Sequence, residues 1–173
     1  MFPKDVRYTT THEWVRLEDN VATVGITKYA ADQLSDLTYV ELPDVGEDLT
    51  AEMIMGTIES VKAAADLMSP IDGRVLEVNG AVAQSPELIS EDPYDDGWLI
   101  KIKPTDASQL DEMMTSEAYQ LFVQAEAGEE EEEKEEEKEE EMEEEKEEPV
   151  TEGAAPEEDE EEDEEEEEEE KEL

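Results

Sequence analysis

Short runs of β-branched and apolar residues, each closed by Gly, Pro, Asn or Asp within about ten residues, limit this chain to few folds. Residues 13–18 (Glu-Trp-Val-Arg-Leu-Glu) alternate polar and apolar, Asp19-Asn20 turns, and Val21-Ala22-Thr23-Val24-Gly25-Ile26 runs back, which predicts a hairpin. Further strands are predicted over 37–42, stopped by Pro43 and Gly46, over 53–61, over 63–68, over 74–78, ended by Asn79-Gly80, and over 98–103. The helical signals are minor. Thr27 is placed to cap a short amphipathic stretch over 28–35, Ser85 opens a single turn over 86–89, and Leu110, Met113, Met114, Tyr119, Leu121 and Phe122 recur at helical spacing over 106–123, as one helix or a broken one. About six to eight short strands with so little helix argue for a mainly β sandwich or barrel and against a βαβ fold. A faint likeness between 40–46 and 75–80 centres near Lys62 and predicts two halves meeting at an exposed turn there.

Only part of the chain can build that fold. Residues 1–125 hold both Trp, both Phe, all five Tyr and the single His, with 24 acidic and 8 basic side chains. Residues 126–173 hold 33 acidic and 4 basic ones and no aromatic residue. Such a segment cannot bury enough apolar surface to offset the entropy of ordering it. The organisation read from this is one domain over 1–125 and a Glu-rich low-complexity tail over 126–173, partly helical where Glu and Lys recur at i,i+4 and extended beyond the Gly153–Pro156 break. The bland reading of the tail is a solubilising, self-repelling appendage; the sharper one is an electrostatic handle for a basic partner.

A net charge of −45 opposes binding to nucleic-acid phosphates and anionic membrane surfaces. The absence of Cys excludes disulfides, thiolate catalysis and Cys-based metal sites, and one His cannot assemble a ligand set. No nucleophile–base pair is recognisable, so the chain reads as non-catalytic. No apolar run approaches the ~20 residues that span a bilayer, and the first residues show neither an h-region nor a transit stretch, which predicts a prokaryotic cytoplasmic protein.

Lys62, between the predicted strands 53–61 and 63–68, stands out for its place at a strand-to-strand turn. An exposed amine is a poor catalyst, since it stays protonated near its reference pKa of about 10.4, but it is a good substrate for an enzyme that closes round it. Small, uncharged Val61 and Ala63 leave room for that. The bland alternative is a solvating hairpin lysine.

An ordered set of motifs weighs against the bland reading. Thr11-His12-Glu13-Trp14-Val15 is followed by Val24-Gly25-Ile26-Thr27, Val40-Glu41-Leu42-Pro43-Asp44-Val45-Gly46 and Glu59-Ser60-Val61-Lys62-Ala63. Ser69-Pro70-Ile71-Asp72-Gly73, Ser85-Pro86-Glu87-Leu88-Ile89, Asp92-Pro93-Tyr94 and Gly97-Trp98-Leu99 complete it. Over nearly all of 5–125 the chain resembles the H proteins of the glycine cleavage system. The resemblance implies a barrel-sandwich hybrid fold of the lipoyl/biotinyl-carrier kind and lipoate attached covalently to Lys62 at a hairpin tip. It implies that Glu59 and Gly73 take part in recognition by the lipoate ligase or the octanoyl/lipoyl transferase, and that His12 lies near a cleft where the arm docks. Taken as residues alone, Glu59 reads as a strand-edge carboxylate, Gly73 as a turn glycine with positive φ, and His12 as a hydrogen-bonded residue at a strand start. The implied partners are glycine decarboxylase (P protein), aminomethyltransferase (T protein) and dihydrolipoamide dehydrogenase (L protein). The implied function is to shuttle the aminomethyl group of glycine between the first two and present the dithiol to the third. A lipoate-relay or other swinging-arm role is the alternative; an unmodified acidic interaction protein is a third reading, from another class. Ala64, Ala65 and Met68 depart from the residues more often seen in the family, and the resemblance does not reach the tail.

Overall fold

The computed structural model describes residues 2–128. Of the tail expected from 126 onward, 129–173 lie outside the described residues. In chain order the elements are strands β1 (Arg7–Tyr8), β2 (Glu13–Glu18) and β3 (Val21–Ile26), helix α1 (Lys28–Leu34), and strands β4 (Leu37–Glu41), β5 (Asp48–Leu49), β6 (Ile54–Ser60), β7 (Ala64–Met68) and β8 (Gly73–Val78). Helices α2 (Gly80–Gln84) and α3 (Glu87–Glu91), strand β9 (Ile100–Pro104), a 3-10 turn (Ala107–Glu112) and a helix α4 over 116–128 complete the described chain.

Two antiparallel sheets result, a six-stranded one in the order β1-β2-β3-β9-β8-β5 and a three-stranded one in the order β4-β6-β7. The β2–β3 hairpin turns through Asp19 and Asn20 at φ of 47° and 61°, the left-handed pair whose twist matches that of the flanking strands. The main core lies between the sheets, where Val24, Ile58, Leu67, Val75, Ile100 and Ile102 are each at most 2% exposed. A second cluster joins Tyr8, Trp14 and Tyr119, with the Tyr8 and Tyr119 rings parallel and 4.5 Å apart. The Trp14 indole N–H is satisfied inside it by the Pro93 carbonyl at 2.9 Å.

The structure adds local detail to these expectations. Asn79-Gly80 does not simply end a strand: the Asn79 carboxamide oxygen accepts from the Ala81 N–H and caps α2, while its NH2 donates to the Asp96 and Trp98 carbonyls. The 106–123 segment is broken, because the Met114 N–H and C=O pair with those of Tyr8 and draw the backbone out of the helix. Tyr39 stands 49% exposed on the three-stranded sheet.

Candidate functional site

The β6–β7 hairpin ends in the rungs Ile58↔Ala65 and Glu59↔Ala64, beyond which the chain reverses through Val61 and Lys62. Lys62 is exposed and Val61 is 77% exposed, so no side-chain packing holds this tip. Hydrogen bonds hold it instead: the Ser60 N–H donates to the Ala63 carbonyl at 2.7 Å, and the Val61 N–H donates to the Asp36 carbonyl at 3.0 Å. Asp36 is aimed there by Ser35, the C-cap of α1, which sits at φ 67° with its N–H on the Ala31 carbonyl.

Beside the hairpin opens a cleft of about 410 Å³. Tyr29, Ala30, Gln33 and Leu34 of α1 form one wall, Ala65, Asp66 and Leu67 of β7 another, and Ile26 and Ile58 line it further. Thr11, His12 and Glu13 line it from β2 and the turn before it, and Glu126 from α4. Ala65 lies three residues from Lys62, about 10 Å along a strand, so a long substituent on the lysine can reach the cleft.

Glu13 is the unusual member. It is 1% exposed, on the face of β2 that it shares with buried Val15. Its Oε2 accepts from the Thr9 and Thr11 hydroxyls and its Oε1 from the Met68 N–H at 3.1 Å. Burial pushes its carboxyl above the ordinary value, and these donors pull it partly back. Folding therefore favours protonated Glu13. Its share of stability is fully present below the unfolded pKa and is lost as pH rises through the folded one. Glu13→Gln removes that titration and can still take the Met68 N–H on its carbonyl. In denaturant unfolding from pH 4 to 8, the wild type is expected to lose stability relative to Glu13→Gln as pH rises.

His12 sits at φ 68°, with Nδ1 2.8 Å from the Tyr119 hydroxyl and Nε2 3.3 Å from Glu126 Oε2. The same Tyr119 hydroxyl meets Thr27 Oγ1 at 2.8 Å, so a polar chain links α4 to the N-cap of α1 beside the cleft. Burial holds the Tyr119 hydroxyl well above the usual phenol range. His12 is thus both a hydrogen-bonded residue next to a strand start and a lining residue of the cleft.

Glu59 is exposed, next to the Lys62 turn. Gly73 is elsewhere: it is buried in the six-stranded sheet, opposite Leu49 on one side and Pro104 on the other. Gly73 does not have positive φ; its requirement is close approach, since a Cβ there would lie 2.4 Å from both Ile102 Cγ2 and the Lys103 carbonyl oxygen. Sequence reasoning missed Glu13, Asp66, Tyr119 and Glu126. The one signal available was Thr9-x-Thr11-x-Glu13, two hydroxyls within four residues of the carboxyl that the turn before β2 folds back onto it.

A small two-sheet β domain that offers a lysine on a bond-fixed hairpin tip, next to a polar-rimmed cleft, has the form of a swinging-arm carrier. The sequence model of the family Glycine cleavage H-protein matches residues 6–126. A glycine cleavage system H protein from Bacteroides fragilis is 50% identical over 124 residues, 72% of this chain and 98% of that one. One from Acaryochloris marina is 50% identical over 123 residues, 71% of this chain and 96% of that one. The crystal structure of a glycine cleavage system H protein from Mycobacterium marinum superposes with a TM-score of 0.64 at 39% identity, covering 68% of this chain and 95% of that one. The chain belongs to the glycine cleavage H-protein family, the lipoyl carriers of the glycine cleavage system, and its fold is the mainly β barrel-sandwich hybrid of that family. No helix among the described residues is long and apolar enough to cross a membrane.

Proposed function

We propose that this chain carries lipoate on Lys62 and shuttles the aminomethyl group of glycine from the pyridoxal-phosphate glycine decarboxylase to the folate-dependent aminomethyltransferase. It then presents its dithiol to dihydrolipoamide dehydrogenase. The observation that carries this reading is the exposed Lys62 on a hydrogen-bonded tip beside the cleft. When bound, the group would supply a disulfide that can take up the aminomethyl unit and, once that unit is passed on, a dithiol that dihydrolipoamide dehydrogenase can reoxidise by thiol–disulfide exchange. The protein's part is to hold the attachment point clear of its own surface, so that other enzymes can modify and then use it, and to tether the arm at high effective concentration. Asp66 and Glu126 line the cleft beside Glu13, and their carboxyl groups suit a small cationic amine drawn in from water. We assign His12 to that cleft and Glu59 to the surface read by the lipoate ligase or transferase. The burial of Gly73 makes any role it has in recognition indirect. The bacterial relatives support a cytoplasmic setting.

Intact-mass measurement of the full chain from lipoate-competent cells tests attachment; a mass without one lipoyl group sinks the proposal. Reconstitution with glycine and the decarboxylase tests loading, and a lipoylated chain that never loads favours the relay role. Removing residues 129–173 is expected to leave lipoylation and loading unchanged. A cut before 126 also removes Glu126 and its contact with His12, and is expected to weaken loading. Loading rates of the two truncations decide this, and a loss on removing 129–173 alone makes the tail functional.

A further inference from the structure

The sequence at the modified turn is poorly suited to turning. Tight two-residue hairpin loops favour Asn, Asp or Gly, which tolerate positive φ, and the loop here is Val61-Lys62 with a β-branched residue first. The side chains of 61–64 are all exposed, so burial adds nothing. Every backbone N–H of residues 60–63 nevertheless has a hydrogen-bond partner. The Val61 N–H is taken by the Asp36 carbonyl at 3.0 Å, and the next two N–H groups, of Lys62 and Ala63, are taken by one atom, Ser60 Oγ, at 3.3 and 3.0 Å. The same hydroxyl lies 3.2 Å from the Ala63 carbonyl oxygen and can donate to it.

We infer that Ser60 is a positioning residue for modification: its hydroxyl stands in for the missing turn residues and pre-forms the loop that offers Lys62 to the lipoate-attaching enzyme. This rests on the proposal that Lys62 is the attachment site. The released N–H groups of a Ser60→Ala chain are exposed and go to water, so global stability changes little. What changes is the number of conformations open to residues 61–63. The enzyme must then order the loop as it binds, and that entropy falls on binding rather than on the chemical step.

The test is steady-state lipoylation of the full chain by a lipoate ligase with lipoate and ATP, read by intact mass. Ser60→Ala is expected to raise KM about three- to tenfold with kcat little changed, the range set by ordering one or two groups at an interface. Ser60→Thr keeps the hydroxyl and is expected to restore the wild-type KM. Limited trypsin cleavage after Lys62 of the unmodified chain is a second readout that needs no lipoate: faster in Ser60→Ala, as wild type in Ser60→Thr. A wild-type chain that the ligase leaves unmodified overturns the attachment proposal. A modified wild type with unchanged KM and unchanged cleavage in Ser60→Ala overturns the role of Ser60 alone. A lower melting temperature that accounts for the KM change overturns it too, by making the effect one of folding.

Discussion

Lys62→Arg is expected to abolish lipoylation and, with it, all glycine-dependent loading, while leaving the fold intact. Arginine keeps the charge and nearly the reach of lysine, but its guanidinium does not lose a proton in the accessible pH range and offers no amine to acylate. The loss is therefore complete rather than graded. The fold should not notice, because Lys62 is exposed and its turn is held by backbone and Ser60 atoms. Three other lysines of the described residues are already paired. Lys4 pairs with Glu117 at 3.1 Å, Lys28 with Asp32, and Lys101 with Glu77 at 3.4 Å while also lying over the Trp98 ring. Intact mass and melting temperature of the two chains, prepared side by side, check both halves. A lipoyl group that persists in Lys62→Arg would place the site elsewhere.

Gly73→Ala is expected to be a costly small change in the described domain. A methyl there meets Ile102 Cγ2 and the Lys103 carbonyl oxygen, each at 2.4 Å. Ile102 can change rotamer only into a filled core, and the carbonyl belongs to β9, which is paired on both sides, so β8 and β9 must separate. Overpacking of this kind costs about 1–3 kcal/mol, or roughly 4–12 °C in melting temperature for a domain of this size. Gly80→Ala is the control: nothing lies within 4 Å of a Cβ there, and alanine suits the first residue of α2. If Gly73→Ala also lowers lipoylation, the loss should follow the unfolded fraction and recover on cooling toward the temperature of maximum stability. A loss that persists in fully folded protein would instead make Gly73 a recognition residue.

The fold was largely legible because its signals are local. Alternation and turn residues marked β2, β3, β4, β6, β7 and β8 to within about two residues. β1 and β5 went unseen, because each is two residues long and exists only through its partner, β2 or β8. The helical period of 106–123 was real but was interrupted at Met114 by a bridge to a residue over a hundred positions away. Glu13 shares the buried face of β2 with Val15, and what only the folded chain reveals is its set of donors, the Thr9 and Thr11 hydroxyls and the Met68 amide.

The exposed lysine at a turn and the two sheets of short strands were determined by the sequence itself. Each depends on neighbours within a few residues: side-chain period and turn chemistry. The cleft was decided only by tertiary structure. Its lining draws on Thr11, Tyr29, Asp66 and Glu126, and the His12–Tyr119 hydrogen bond that braces it spans 107 residues of chain. No local pattern encodes which side chains from four separate segments meet, because that depends on how the two sheets and α4 pack once their apolar faces are buried.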